Sequence, residues 1–116
     1  MPPLSEAQRR PMEIRLDREA RLVHITWLDG HKSAYGFEWL RWRCPCAYCA
    51  GEGGAPGALA TTTSLTPEQV NLERLELVGR YAIAPQWADG HGTGIYSFES
   101  LRANCPCVAC TKQRAS

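Results

Sequence analysis

The sequence predicts an α+β fold: a small two-layer domain of antiparallel strands with short helices, internally duplicated about a pseudo-twofold axis. Three observations carry this expectation. Apolar residues alternate along short runs, Asp29-Gly30 and Asp89-Gly90 punctuate those runs as hairpin turns, and one extended residue pattern occurs twice.

Taken in order, MEIRLD (12–17) and ARLVHITW (20–27) show the alternation of half-buried strands. Ile14 and Leu16 are expected to face the core, as are Val23, Ile25 and Trp27, with Glu13 and Arg15 outward. Asp29-Gly30 predicts a two-residue type I′ turn, whose central residues both need positive φ, and HKSAY is the return strand. FEWLRWR places Phe37, Leu40 and Arg41 at helical spacing and predicts one or two turns of helix before Pro45. The second half predicts strands near LERLELVG and RYAIAPQW, the Asp89-Gly90 turn, a strand GTGIY and a helical turn SFESLR. Pro85, which has no N–H for a ladder, predicts an edge position for its strand.

The stretch between the halves, residues 50–69, is rich in Gly, Ala and Thr and reads as a loop, mobile around Gly51–Gly57. Within it, Thr66 and Pro67 suit the N-cap and first position of a short helical turn. Residues 1–10 and 112–116 are expected to fray.

Aligned on itself, the chain matches WLDGHKSAYGFEWLRWRCPCAYC (27–49) with WADGHGTGIYSFESLRANCPCVAC (87–110). Trp27, Asp29, Gly30 and His31 correspond to Trp87, Asp89, Gly90 and His91. After one additional residue in the second copy, Tyr35, Phe37, Glu38, Leu40 and Arg41 correspond to Tyr96, Phe98, Glu99, Leu101 and Arg102. Two copies are too few for a solenoid and suit one domain in which each half completes the other's core. Residues 10–111 therefore read as one domain of two half-repeats, about 12–49 and 70–110. Trp27 and Trp87 are expected in the core between them, and Glu38 and Glu99 as first-turn residues favoured by the helix dipole.

Composition narrows the function classes. The 116 residues are 44% hydrophobic and 22% charged with a formal net charge of +1, which argues against bulk nucleic acid or an anionic membrane as partner. No apolar run is long enough to span a bilayer, and the first residues lack the apolar stretch of a signal peptide. The expectation is a cytoplasmic protein, where closely spaced cysteines more often bind metal or do redox work than form disulfides.

All six cysteines lie in CPCAYC (44–49) and CPCVAC (105–110). Three thiolates within six residues can be aimed at one point by a tight turn, which proline stiffens. A disulfide within C-x-C closes a strained ring. Tetrahedral zinc needs a fourth ligand, for which histidine is the usual partner of three cysteines. His31 and His91 recur just after the Asp-Gly turns, and recurrence beside recurring cysteines favours ligation, by His91 in particular. His24 has no counterpart, since Ala84 stands opposite it in the alignment, and reads as an ordinary strand residue. Arg41, Arg43 and Arg102 beside the cysteines are expected to offset thiolate charge.

With the pattern W-x-D-G-H…Y-x-F-E-x-L-R-x-x-C-P-C-x-x-C in hand, the chain resembles the gamma-butyrobetaine hydroxylase-like N-terminal domain, also called domain of unknown function 971. The resemblance covers roughly residues 10–111. The family comprises small stand-alone bacterial proteins, domains fused ahead of the oxygenase domain of carnitine-biosynthesis hydroxylases, and domains behind the ATPase of a chloroplast iron–sulfur assembly factor. It implies a structural zinc held, by matching positions, by Cys44, Cys46, Cys49 and His91. The chain departs from the hydroxylase pattern in having a second complete cluster. Symmetry then predicts a second site from Cys105, Cys107, Cys110 and His31. The alternatives are that this cluster holds no metal, binds one across a dimer, or presents thiols for a transient iron–sulfur cluster.

The resulting functional expectation is a small zinc-binding accessory module, its metal mainly structural, acting through a protein partner such as an oxygenase or an iron–sulfur assembly component. The alternative is an iron–sulfur cluster carrier using the CPCxxC thiolates, since ligand type alone does not decide between the metals. A stand-alone enzyme is not expected. None of the three histidines begins an H-x-D/E facial-triad motif, and neither a phosphate-binding loop nor a G-x-S-x-G elbow is present.

Overall fold

The computed structural model describes residues 4–52 and 55–115. By internal contact the chain divides into two units, one built from residues up to Gly36 together with those from Ser97 onward, the other from Phe37–Tyr96. Each unit takes its three-stranded sheet from one half of the repeated pattern and its cysteine segment from the other.

In the first unit a short helix, α1 (Glu6–Arg9), precedes strands β1 (Pro11–Asp17), β2 (Leu22–Trp27) and β3 (Lys32–Gly36). The strands form an antiparallel sheet in the order β1-β2-β3. Val23, Ile25 and Trp27 are buried on one face of β2 as the alternation requires, and Ile14 and Leu16 are half-buried opposite exposed Glu13 and Arg15. β2 begins at Leu22 rather than residue 20, because residues 18–21 form the turn. There Asp17 accepts the Ala20 N–H at 3.0 Å and Arg21 takes a left-handed φ of 58°.

Two further corrections concern the ends. Ser5 and Gln8 form a reciprocal capping box on α1, and the Leu28 N–H donates to the Arg10 carbonyl at 2.8 Å, so residues 5–10 are ordered rather than frayed. Helices α4 (Phe98–Ala103) and α5 (Val108–Ala115) complete this unit, and α5 carries helix through residues 112–115. Residues 1–3 and 116 lie outside the described residues. Trp27 is buried, donates its indole N–H to Ser33 Oγ at 2.9 Å, and meets Phe98 edge-on at 6.2 Å between centroids.

The second unit opens with α2 (Phe37–Trp42) and α3 (Ala47–Ala50). Glu38 and Glu99 occupy the first turns of α2 and α4. The expected loop 50–69 contains more structure than its composition suggests. β4 (Gly51–Glu52) pairs with β5 (Ala55–Pro56), a 3-10 turn follows over Ala58–Ala60, and Gly53 and Gly54 lie outside the described residues. Gly57 permits this reversal, since a Cβ there would fall 2.2 Å from the Cys49 carbonyl oxygen. Thr66 and Gln69 exchange side-chain to backbone hydrogen bonds around the expected turn.

Strands β6 (Leu72–Val78), β7 (Ala82–Trp87) and β8 (Tyr96–Ser97) form the second sheet in that order, so Pro85 lies in the middle strand and not at an edge. The reason is the brevity of β8. Of the expected strand GTGIY only Tyr96 joins the ladder, so β7 has little pairing on that side to lose to a proline. The register of β6 on β7 repeats that of β1 on β2: Leu72 faces Trp87 as Pro11 faces Trp27, with a bulge directly after each pair. Trp87 is buried within this unit, with the Arg41 guanidinium 5.5 Å from the ring centroid.

Candidate metal centres

Both Asp-Gly turns differ from the expected type I′. The Gly30 N–H donates to the Trp27 carbonyl at 2.8 Å, the Trp27 N–H donates to the His31 carbonyl at 2.8 Å, and only Gly30 has positive φ, at 92°. This is a type I turn closed by a glycine bulge. Gly90, at φ 88°, closes the Trp87–His91 turn with the same bonds at 3.0 Å. The bulge fixes each histidine immediately beyond the turn. Its backbone N–H is held as well, by Asp29 Oδ1 for His31 at 3.2 Å and by Asp89 Oδ1 for His91 at 3.1 Å.

The same aspartates tie the turns to the cysteine segments. In the second unit Arg41, on α2 and three residues before Cys44, grips Asp89 through two hydrogen bonds of 3.1 and 3.0 Å and donates to the Gln69 carbonyl. In the first unit Arg102, on α4 and three residues before Cys105, grips Asp29 through two bonds of 2.9 Å and donates to the Gln8 carbonyl. Burial works against ionisation of Asp89, but Arg41 holds its carboxyl below the usual range; Arg102 does the same for Asp29. Arg41 and Arg102 direct their guanidinium hydrogen bonds to carboxylates, and Arg102 also lies close enough to Cys105 and Cys110 for their charges to attract it. Arg43 instead stacks on Trp39, 4.1 Å from its centroid.

Each cysteine segment is built alike. The helix before it closes with a bond from Cys44 N to the Arg41 carbonyl, or Cys105 N to the Arg102 carbonyl, both 3.2 Å. Proline then breaks the helix, and a new one starts after the middle cysteine. Ala50 N donates to Cys46 O and Thr111 N to Cys107 O, each at 2.9 Å. A buried tyrosine buttresses each arrangement from the sheet of its own unit: Tyr35 donates to the Leu101 carbonyl at 2.6 Å, and Tyr96 donates to the Leu40 carbonyl. Burial pushes both phenols well above their ordinary range, so they remain donors.

In the second unit His91 Nε2 lies 3.3 Å from Cys44 Sγ and 3.5 Å from both Cys46 Sγ and Cys49 Sγ, while Cys44 and Cys46 sulfurs are 3.5 Å apart. In the first unit His31 Nε2 lies 3.4, 3.7 and 3.5 Å from the sulfurs of Cys105, Cys107 and Cys110. Within each group the ligand atoms all fall within 4.8 Å of one another. Around one zinc ion, with Zn–S near ~2.3 Å and Zn–N near ~2.0 Å, tetrahedral ligand atoms are spaced roughly 3.5–3.8 Å. The donor sets therefore fit a single ion in size and chemistry. His24 joins neither group; it lies on β2, 3.7 Å from Asp17.

The thiols hold their protons unevenly. Burial pushes Cys44 up, and burial with the crowding of Cys46 and Cys44 pushes Cys49 up to about 12. Cys46 resists its own burial through hydrogen bonding to Thr93, the Cys49 backbone and the neighbouring thiols, and is drawn down to about 6. In the other group the Cys110 backbone N–H lowers Cys107, whereas burial and Cys107 push Cys110 up to about 12. Cys105 accepts a hydrogen bond from the Ser33 hydroxyl at 3.1 Å.

The fold and these groups define a small α+β protein with two Cys3His clusters, each able to hold a metal ion. The sequence profile described as gamma-butyrobetaine hydroxylase-like, N-terminal, matches residues 14–102, and the chain belongs to that family. Among solved structures it is similar to a protein of unknown function of the DUF971 family from Acidithiobacillus ferrooxidans ATCC 23270. The two share 33% identity over 84% of this chain and 94% of that one, with a TM-score of 0.63. It is also similar to a protein solved by NMR in solution, with 30% identity over 87% of this chain and 71% of that one, and a TM-score of 0.62. No curated protein matches the chain. Among the described residues no helix is long and apolar enough to cross a membrane.

Proposed function

We propose that this protein is a small cytoplasmic zinc-binding accessory module, whose Cys44, Cys46, Cys49 and His91 hold a mainly structural zinc and which acts through a protein partner. The observation that carries the reading is the convergence of three sulfurs on His91 Nε2 at 3.3–3.5 Å, with the Cys44 and Cys46 sulfurs 3.5 Å apart and all four ligand atoms within 4.8 Å of one another. Such spacings are close to the edges of a zinc-sized tetrahedron. An iron–sulfur cluster interposes sulfide and further iron between its thiolates and needs them wider apart, so the tight spacing and the histidine donor support zinc over the cluster-carrier alternative. When bound, zinc supplies cross-linking of α2, α3 and the β7 turn, and its binding energy adds to folding energy in a small core. The family name supports a place beside gamma-butyrobetaine hydroxylase-like enzymes, and the partner we favour is an oxygenase, with an iron–sulfur assembly component as the other candidate.

The test is elemental analysis of anaerobically purified protein together with its absorbance spectrum. The expected result is bound zinc and no visible absorbance. Visible sulfide-to-iron bands with matching iron would replace zinc by a cluster, and protein free of metal from metal-replete cells would refute both.

A further inference from the structure

We propose that His31, Cys105, Cys107 and Cys110 form a second binding site for a zinc-class divalent ion, and that its metal exchanges faster than that of the Cys44 site. The three cysteines lie beyond the 14–102 span of the family match. The site is nevertheless fully equipped. His31 Nε2 stands 3.4–3.7 Å from all three sulfurs, its backbone is fixed by the glycine bulge and Asp29, and Arg102 binds Asp29 to the segment that carries Cys105. The outer hydrogen bonds are also in place, since Trp27 donates to Ser33 and Ser33 donates to Cys105. Three soft thiolates and one imidazole select a zinc-class ion over a hard cation such as magnesium or calcium.

The difference in exchange follows from burial. In the Cys44 site the third cysteine, Cys49, is 3% exposed, and its backbone is closed over by the chain returning through Gly57. Its counterpart Cys110, in α5, is only half-buried. A chelator or a competing thiol displaces ligands one at a time, and an accessible thiolate is the first to be displaced. The middle cysteines Cys46 and Cys107 are half-buried alike, and the Cys110 edge adds an opening that the Cys49 edge does not.

Zinc-loaded protein, kept reduced and desalted, is analysed for metal and then challenged with a chromogenic zinc chelator. Two equivalents are expected, released in two phases of one equivalent each. Cys107→Ser should lose one equivalent and the fast phase, and His31→Ala should do the same, with far-UV circular dichroism confirming that each variant is folded. If a variant does not fold, cobalt(II) titration of the wild type substitutes. Two successive increments of thiolate-to-cobalt absorbance support the second site, and a single increment overturns it. One equivalent that Cys107→Ser retains and His91→Ala loses overturns the second site and leaves the first standing. Release of two equivalents in one phase, or a fast phase that survives Cys107→Ser, overturns the exchange order. Zero metal overturns both sites.

Discussion

Arg102 holds Asp29 through two hydrogen bonds of 2.9 Å, and that pair couples the turn bearing His31 to the segment bearing Cys105. Arg41 and Asp89 repeat the relationship for His91 and Cys44. A planar guanidinium presents two parallel N–H groups that match both carboxylate oxygens, a fork that a lysine ammonium lacks. Arg41→Lys should therefore weaken metal binding at the Cys44 site by about 10–100-fold and leave the other cluster unchanged, with Arg102→Lys doing the converse. Chelator competition on each variant reads this. An equal loss at both clusters from either substitution would contradict the pairing.

Gly94 and Ser33 each stand two residues before the recurring tyrosine but do different work. A Cβ at Gly94 would fall 2.7 Å from Cys44 Sγ, whereas Ser33 keeps its hydroxyl 3.1 Å from Cys105 Sγ. Gly94→Ala must therefore displace a candidate ligand, and metal retention at the Cys44 site should fall while the other cluster is unaffected. Elemental analysis after a fixed chelator exposure measures it; full retention would show that the Cys44 sulfur is free to move.

Ser33→Ala acts differently, through the buried indole of Trp27. It removes the acceptor for the indole N–H as well as the donor to Cys105. Leaving a buried donor unpaired should cost about 1–3 kcal/mol of folding stability. Urea unfolding followed by tryptophan fluorescence gives the value, and a change below about 0.5 kcal/mol would mean that water replaces the hydroxyl.

The parts of this fold legible in the sequence are those written in local spacing. Alternation around Val23, Ile25 and Trp27, the Asp-Gly turns, and the helical Phe37, Leu40 and Arg41 all declare themselves within a few residues. The turn type did not follow, because Asp-Gly suits both a type I′ turn and a type I turn with a glycine bulge, and only the pairing of Trp27 with His31 separates them. Pro85 misled for a related reason: its tolerance depends on how far β8 extends, which is a property of another segment. Helix α1 was readable from Ser5 and Gln8, but four residues carry little periodicity. The cysteines are conspicuous by local spacing alone, whereas assigning a histidine to a cluster required the family resemblance. The Arg41–Asp89 and Arg102–Asp29 pairs are not legible although all four residues recur, because recurrence marks positions and does not say which of them touch.

The two histidines of the second half-turn and of β2 provide the sharpest contrast. His91 Nε2 lies within 3.5 Å of three sulfurs, and its backbone is held by Asp89 and the Trp87 ladder. His24 is half-buried, with its Nε2 3.7 Å from Asp17 Oδ2. If zinc is bound at a free concentration of about a hundred times its Kd, it contributes about 2.7 kcal/mol to stability. Losing that contribution should lower Tm by roughly 10 °C in a chain of this size. His91→Ala is expected to show this drop, and metal withdrawal from the wild type should lower Tm at least as far, since it empties the second cluster as well. His24→Ala removes only a weak, solvent-screened pair and should change stability by less than about 0.5 kcal/mol, with metal content intact. Thermal melts of the two variants, with and without a strong chelator, are decisive as a set. If chelator shifts the His91→Ala melt as far as it shifts the wild type, the stabilising metal is not held by His91.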